Sequence, residues 1–456
     1  MAGIPDYRHF LTLEELDESS RKLAEQYPDV VKMFEIGKTA EGRPLYCLKI
    51  GQGKRNGLLL GCPHPNEPIG TMLLEYFTEQ LASNAELRDS LDYTWYVVKA
   101  WDADGLRRNE GWLKGPYTLF SYARSFFRPA SFEQVDWTFP IDYKELHFHD
   151  VIPETEAVMH LIDEIKPHFI YTLHNAGFGG TYWYESEPTP EIYDALRETA
   201  HTYDVPLSLG EAESASSIQY SPAIFECGGI RQEYDFAEKY SAEKMQKKDF
   251  RMWSGDNSAS YAKERYDSFT LLTELPYFLD RRISNERPVP ETRRELLEQQ
   301  ITESEMLSRE LREILAVSRK YLEDDNHFML AVECFSADSE HAAQRNQICN
   351  DPAFARQATV AEKLDTLYIS KFYKMLQYGM LVRANEFELA RCGEDPDPEK
   401  REKLEEGYVR ALTALRRLAD HLEAHLDYHV VPIKNLISVQ LESAFIVLEY
   451  LEKRGN

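Results

Sequence analysis

With 456 residues, the chain exceeds the usual size of one domain, so two or more domains are expected. A composition of 43% hydrophobic and 29% charged residues is typical of a globular protein and excludes a disordered one. The formal net charge of −26 opposes binding to a phosphate backbone or an anionic membrane, so neither nucleic acid nor membrane is an expected partner. Solubility is the first explanation of the acidity, and a cationic substrate is the alternative.

The amino-terminal segment and the cysteines bear on location. The first ten residues lack the basic stretch and the apolar core of a secretory signal. No apolar run is long enough to cross a bilayer, and the six cysteines are scattered without a Cys-x-x-Cys pair. We therefore expect a cytoplasmic protein with reduced thiols.

In the first part of the chain, short apolar runs alternate with amphipathic stretches, which predicts strands separated by helices. Four predicted strands matter for the chemistry, namely residues 57–60, 93–98, 169–173 and 269–273. Each is soon followed by polar or ionisable residues, and open α/β sheets bind ligands beyond the carboxyl ends of such strands. The side chains that follow these strands are therefore expected to converge.

The pattern changes after residue 285. Residues 286–290 are typical of a linker, and apolar residues from Leu296 to Leu315 then recur at the spacing of one helix face. We predict an α/β domain over residues 1–285 and an all-α domain over residues 286–456. For the helical domain three uses stay open: a dimerisation module, a cover over a site in the first domain, and a surface for a partner. A homo-oligomer formed through this domain is the favoured expectation.

The loop after the first of the four strands suggests a metal site. His64 and Glu67 are three residues apart, a spacing at which an imidazole and a carboxylate can face one point, although a surface turn often has the same spacing. His174 ends the strand 169–173 and enters a glycine-containing turn. Two histidines and a glutamate with one open position form a known catalytic zinc set, so Zn²⁺ is the expected cofactor.

A hydrolytic zinc site also needs a base. Glu274 ends the strand 269–273 in an otherwise apolar segment, where burial would raise its pKa and suit it to accept a proton. A structural ion pair is the alternative role for this glutamate.

Taken in order, these segments resemble the zinc carboxypeptidase family, whose type member is carboxypeptidase A. The resemblance covers about residues 8–280. It includes the approach to the metal loop at 36–45, the Asp-Gly turn at 102–105, and the Pro-Glu-Thr helix start at 153–155. It implies a carboxypeptidase A-like α/β fold, a mixed eight-stranded sheet flanked by helices, followed by the extra helical domain.

The resemblance also implies residue roles. His64, Glu67 and His174 would be the zinc ligands, Glu274 the general base, and Asp136 the acceptor that orients one imidazole. Arg107 or Arg108 is similar to the arginine that stabilises the oxyanion, and the sequence does not decide between them.

The substrate clamp departs from the family pattern. Residues 135–140 lack the Asn-Arg pair that holds the free carboxylate of a C-terminal residue. Arg231, Arg124 or Arg128 could replace it from another loop. Ser258 and Ala259 are expected at the specificity pocket, where their small size leaves the side-chain preference open.

Three functions follow from this reading. The leading one is a metallopeptidase of atypical specificity. An N-acyl amino acid deacylase or amidase on the same fold is the second, so the expected partner is a peptide or an acylated amino acid. The third is a catalytically inert binding scaffold, which predicts the loss of a ligand or the base.

Two other histidine groups are interpreted as surface features. They are the pair His147 and His149, and the helical stripe of His421, His425 and His429.

Overall fold

A computed structural model describes residues 3–240, 254–336, 341–393 and 397–455, and all structural statements concern these residues. The strands are β1 (Val31–Lys38), β2 (Pro44–Ile50), β3 (Arg55–Gly61), β4 (Tyr93–Val98), β5 (Ile141–Tyr143), β6 (Leu146–Phe148), β7 (Phe169–Leu173), β8 (Gly177–Phe178), β9 (Tyr182–Glu185), β10 (Gln219–Ser221), β11 (Ile224–Glu226), β12 (Phe269–Glu274), β13 (Pro276–Leu279), β14 (Pro288–Thr292), β15 (Gln357–Thr359) and β16 (His429–Val430). The helices are α1 (Leu13–Gln26), α2 (Ile69–Ser83), α3 (Ala85–Leu91), α4 (Ala103–Leu113), α5 (Leu119–Ser125), α6 (Pro153–Ile165), α7 (Tyr193–Thr202), α8 (Ile230–Tyr240), α9 (Ser258–Tyr266), α10 (Arg293–Ser318), α11 (His327–Phe335), α12 (His341–Asn350), α13 (Val360–Leu364), α14 (Ser370–Cys392), α15 (Pro398–His425) and α16 (Ile433–Arg454).

A mixed sheet forms the centre of the first part of the chain. Over the described residues it has nine strands in the order β1-β2-β4-β3-β7-β12-β9-β11-β10. Its middle strands β4, β3, β7 and β12 are mutually parallel, while β1 and β2 pair antiparallel at one side. The predicted fold class is confirmed, with nine strands where eight were expected. The four predicted strands are β3, β4, β7 and β12.

Helices cover both faces of the sheet, and β3 shows why. Leu58 and Leu60 belong to the apolar cluster that α6 completes, whereas Leu59 belongs to the cluster on the opposite face with α2. Successive side chains of a strand point to opposite faces, so a strand buried on both faces is apolar throughout. The continuous apolar run in β3 therefore reflects its place at the middle of the sheet.

The second part of the chain is largely helical, as predicted. Helix α10 buries Leu296, Leu297, Ile301 and Leu311 on the expected face. Three short strands depart from the all-α expectation, since β14 pairs with β15 and β16 pairs with β13. Strand β14 occupies most of the expected linker. No helix in the described ranges is both long and apolar enough to cross a membrane.

The last helix joins the two parts. Helix α16 packs against α2, α7 and β12 of the first part. Trp183 donates its indole N–H to Ser443 Oγ at 3.0 Å, and Tyr171 donates its hydroxyl to the carbonyl of Gln440 at 2.9 Å. Helix α16 thus covers a face of the central sheet. The domain boundary at residues 285/286 stays a prediction.

Candidate active site

Three buried side chains meet at the carboxyl ends of β3 and β7. His64 and Glu67 lie in the turn between β3 and α2, which begins at Ile69, and His174 directly follows β7. Their exposed fractions are 3%, 2% and 4%, respectively. One ligand atom from each lies within 4.8 Å of the other two, and His174 Nδ1 is 2.9 Å from Glu67 Oε2. The two strands thus bring together residues that are far apart in sequence.

The donors fit a divalent metal ion. Burial, and next the positive charge of Arg128, hold the pKa of the His64 imidazole well below its usual range, which favours the neutral ring. A neutral imidazole is the form that binds metal. Within the described residues, His64 Nδ1 is buried and has no hydrogen-bond partner. Two imidazoles and one carboxylate match the donor set of catalytic zinc sites.

Glu274 lies beside this group at the end of β12. Its Oε1 is 3.7 Å from His174 Nδ1, and its Oε2 is buried without a partner among the described residues. Burial, followed by the negative charges of Glu213 and Glu67, raises the pKa of the Glu274 carboxyl well above its usual range. The predicted base is therefore close to the predicted ligands and has one free oxygen.

Arg128 forms a hydrogen bond with the metal group. It donates from Nη1 to Glu67 Oε1 at 2.9 Å and from Nε to Gln134 Oε1 at 3.2 Å. Its guanidinium lies over the Trp137 ring, 5.2 Å from the centroid. The sequence had suggested it only as a receptor for a substrate carboxylate. Its place shortly before Asp136, in an otherwise apolar stretch, is the signal that could have indicated a role at the metal.

Arg107 and Arg108 lie elsewhere. Arg107 is exposed on α4, and Arg108 pairs with Glu41. Neither belongs to the described residues that line the cavity at the site. The inward face of α4 carries Leu106 and Asn109, so the two arginines point outward.

Asp136 and Ala259 line the cavity, whereas Ser258 is fully buried and lies outside the set of described cavity residues, contrary to its predicted substrate-binding place. Asp136 Oδ1 accepts the backbone N–H of Ser258 at 2.8 Å, which fixes the start of α9. Burial raises the pKa of Asp136 to about 6, although the N–H of Ser258 opposes this shift. The contact of Asp136 with an imidazole stays a prediction.

The proposed replacements for the substrate clamp are already paired. Arg231 lies 3.7 Å from Asp256 Oδ2, also pairs with Glu264, and is outside the set of described cavity residues. Arg124 pairs with Glu386.

A cavity of about 2220 Å³ opens at the metal group. Pockets for small molecules usually measure about 300–1,000 Å³, so this one has room for an extended substrate. The catalytic part contributes one wall, and the helical part contributes residues of α10 and α14, including Arg293, Tyr373 and Gln377. The helical part therefore borders the site, as one of the three open alternatives anticipated.

The other histidine groups are surface features in the structure. His147 and His149 both contact Asp142 Oδ1, at 2.7 and 3.2 Å, and all three are exposed. His421 and His425 stack with Tyr368. In the described part of the chain, the group of His64, Glu67 and His174 is the one with metal-ligand spacing.

Comparison with known proteins identifies the family of the chain. Residues 16–259 match the family model described as zinc carboxypeptidase, and the chain belongs to that family. Mast cell carboxypeptidase A of Rattus norvegicus is 28% identical over 115 residues, which are 23% of this chain and 27% of the relative. Carboxypeptidase E of Caenorhabditis elegans is 31% identical over 87 residues, 18% of either chain. The alignments thus span about a quarter or less of these relatives.

Solved structures are similar at low identity. Bovine thrombin-activatable fibrinolysis inhibitor, solved with tick carboxypeptidase inhibitor, is 15% identical with a TM-score of 0.36, over 58% of this chain and 86% of that one. Carboxypeptidase A from Helicoverpa armigera is 16% identical with a TM-score of 0.36, over 59% and 65% of the two chains. The family assignment depends on the sequence match.

Proposed function

We propose that the protein hydrolyses a peptide or related amide bond, with His64, Glu67 and His174 as zinc ligands and Glu274 as general base. The observation that carries the proposal is the convergence of two imidazoles, a carboxylate and a second, free carboxylate at one end of the cavity. Zinc bound in such a site lowers the pKa of a water and polarises a carbonyl.

Glu274 has the properties of a proton carrier. Its free Oε2 can accept a proton from the attacking water and then deliver it to the leaving nitrogen. Its raised pKa supports the first half of this role, because a carboxylate with a higher pKa accepts a proton more readily. Asp136 and Ser258 position α9 beside the same site.

Arg128 takes the electrostatic role that the family resemblance had suggested for Arg107 or Arg108. Its guanidinium borders the cavity and is held by Glu67, Gln134 and the Trp137 ring. A fixed positive group near the reacting carbonyl stabilises the negative charge that develops on its oxygen.

A second candidate is an amidase that acts on acylated amino acids or related amides. The observation that favours it is the pairing of the arginines that line the cavity within the described ranges. Arg128 bonds to Glu67, Arg293 to Glu211 at 2.8 Å, and Arg356 to Glu362 at 2.9 Å. None of them is an unpaired receptor for a C-terminal carboxylate, so an ordinary carboxypeptidase specificity has no evident clamp here.

Metal analysis and a substrate panel test the proposal. We expect about one zinc per chain in the wild type by elemental analysis, lost in His64→Ala and retained in Glu274→Gln and in His160→Ala, a variant of an exposed histidine on α6. Hydrolysis of tripeptides and acylated amino acids, measured on the zinc-loaded protein, should disappear in Glu274→Gln. Zinc retained by His64→Ala would contradict the ligand assignment, and hydrolysis by Glu274→Gln would contradict Glu274 as the base. A wild type with neither zinc nor hydrolysis would favour the binding scaffold.

A further inference from the structure

Glu213 lines the cavity, and the hydroxyl groups of two tyrosines donate hydrogen bonds to its carboxylate. Tyr182 donates its hydroxyl to Glu213 Oε1 at 2.6 Å, and Tyr184 donates to Oε2 at 2.8 Å. The two tyrosines are two residues apart on β9, so their side chains emerge on one face of the strand. Both oxygens of the carboxylate are thereby fixed, although the glutamate itself is exposed to the cavity.

The charge of Glu213 is not neutralised by the described residues. The arginines of the cavity are paired with Glu67, Glu211 and Glu362, and Lys371 is paired with Glu303 at 2.5 Å. No lysine, arginine or histidine ion pair to Glu213 is present in these ranges. Among the described residues of the cavity, the Glu213 carboxylate thus has no cationic partner, whereas each guanidinium group is paired with a carboxylate.

Glu213 lines the same cavity as Glu274 and the predicted metal ligands. A carboxylate forms its strongest hydrogen bonds with positively charged donors. The arrangement therefore favours a ligand with a positive group in this cavity.

The loop that carries Glu213 is anchored by the helical part. Glu211 donates its backbone N–H to Asp365 Oδ2 at 2.8 Å, and its side chain accepts from Arg293 at the start of α10. The loop is also close-packed at Gly210, where a Cβ would lie 2.3 Å from Asp365 Oδ2. A carboxylate held in this way loses little freedom when it binds a ligand.

We propose that Glu213 binds an ammonium or guanidinium group of the substrate, so that the enzyme selects a short peptide or amide with a positive charge. The inference depends on the proposed function for its link to hydrolysis. It agrees with the net charge of −26, which attracts cationic ligands.

Matched substrates test the proposal and separate the two sources of a positive charge. One peptide pair differs in lysine against norleucine, and a second differs in a free against an acetylated amino terminus. In one of the two pairs, we expect wild-type kcat/KM to be about tenfold higher for the cationic peptide, because hydrogen bonds to charged groups contribute at this level. The pair that shows this preference identifies the source of the positive charge. Glu213→Gln should bring that ratio close to one. Glu286→Gln, a change to another exposed carboxylate of the cavity, should preserve it.

A binding measurement keeps the test independent of hydrolysis. Calorimetry should show that wild-type protein binds propylguanidinium about tenfold more tightly than its neutral isostere propylurea, and that Glu213→Gln removes the difference. Equal binding of both probes, or a preference that survives in Glu213→Gln, would overturn the cation proposal. Hydrolysis of neutral peptides without any cation preference would overturn it as well but leave the proposed function intact. Absence of all hydrolysis, with probe selectivity retained, would overturn the proposed function alone.

Discussion

The role of a charged side chain near the site depends on which residue it pairs with. Arg108 and Arg128 both lie between the predicted ligands Glu67 and His174 in the sequence. Arg128 bonds to Glu67, whereas Arg108 pairs with Glu41 away from the cavity. We therefore expect an electrostatic role for Arg128 and a surface role for Arg108.

The role of Arg128 leads to a kinetic prediction. Arg128→Ala should lower kcat by about 10²- to 10³-fold, because the charge on the reacting oxygen would lose its fixed partner. Rates should be measured at saturating zinc, since Arg128 also orients Glu67. Arg108→Ala is the matched control and should retain activity. A normal kcat for Arg128→Ala, or an equal loss in Arg108→Ala, would refute this assignment.

A buried carboxyl outside the metal group leads to a pH prediction. Burial raises the pKa of Glu185 to about 8, although Thr189 donates a hydrogen bond at 2.7 Å that opposes the shift. Folding thus favours the protonated form. Its contribution to stability is complete below about pH 4 and is lost as the pH rises through about 8.

Glu185→Gln replaces this group with a permanently neutral one of similar size. Between pH 6 and pH 9, the free energy of unfolding of the wild type should fall by about 1–3 kcal/mol more than that of the variant. Urea unfolding at the two pH values measures this difference. Glu191→Gln, a change to an exposed glutamate, should follow the wild type. Parallel curves for Glu185→Gln and the wild type would show that Glu185 is ionised in the fold.

At the scale of elements, the contact of α2 with β7 sets the distance between the ligands. Gly70, in the first turn of α2, lies so close to β7 that a Cβ would be 2.4 Å from Leu173 Cβ and 3.0 Å from the carbonyl of Leu173. Glu67 precedes this turn, and His174 follows Leu173. The missing side chain at residue 70 thus permits the approach that brings carboxylate and imidazole together.

Gly70→Ala should therefore separate α2 from β7. We expect a loss of about 1–3 kcal/mol in the free energy of unfolding, the usual result of overpacking, together with weaker zinc binding. Denaturant unfolding and a competitive zinc titration measure the two effects. Gly3→Ala is the control, since its Cβ would meet nothing within 4 Å. Unchanged zinc affinity in Gly70→Ala would show that the site adapts to the displaced helix.

For the whole molecule, the helical part and the catalytic part share one apolar core. A single buried cluster includes Leu173 and Trp183 of the sheet together with Val447 of α16. The helical part therefore covers apolar surface of the catalytic part.

Truncation after residue 432 should expose this surface. The shortened chain lacks α16 and with it the partners of Tyr171 and Trp183, so we expect aggregation or a loosely packed state. Near-ultraviolet circular dichroism and size-exclusion chromatography measure the outcome. Truncation after residue 454, which keeps α16, is the control. A soluble, well-packed product that ends at residue 432 would show that the catalytic part folds without its last helix.

The sequence by itself determined the four central strands, the helical character of the second part, and the residues that form the metal group. These features depend on local patterns, namely the period of apolar residues and the polar residues that end each strand. The positions of Glu274, Asp136 and Ala259 also followed from the family resemblance, whereas their roles stay predictions.

Only the tertiary structure decided which arginine bonds to Glu67, that Glu213 lines the same cavity as Glu274, and where the last helix packs. Arg128 is 61 residues from Glu67, and Tyr171 is 269 residues from Gln440. Contacts at such separations depend on how the whole chain is folded, because many residues of the same type could satisfy each of them. Local patterns determine which elements form, and the packing of those elements determines which side chains become partners.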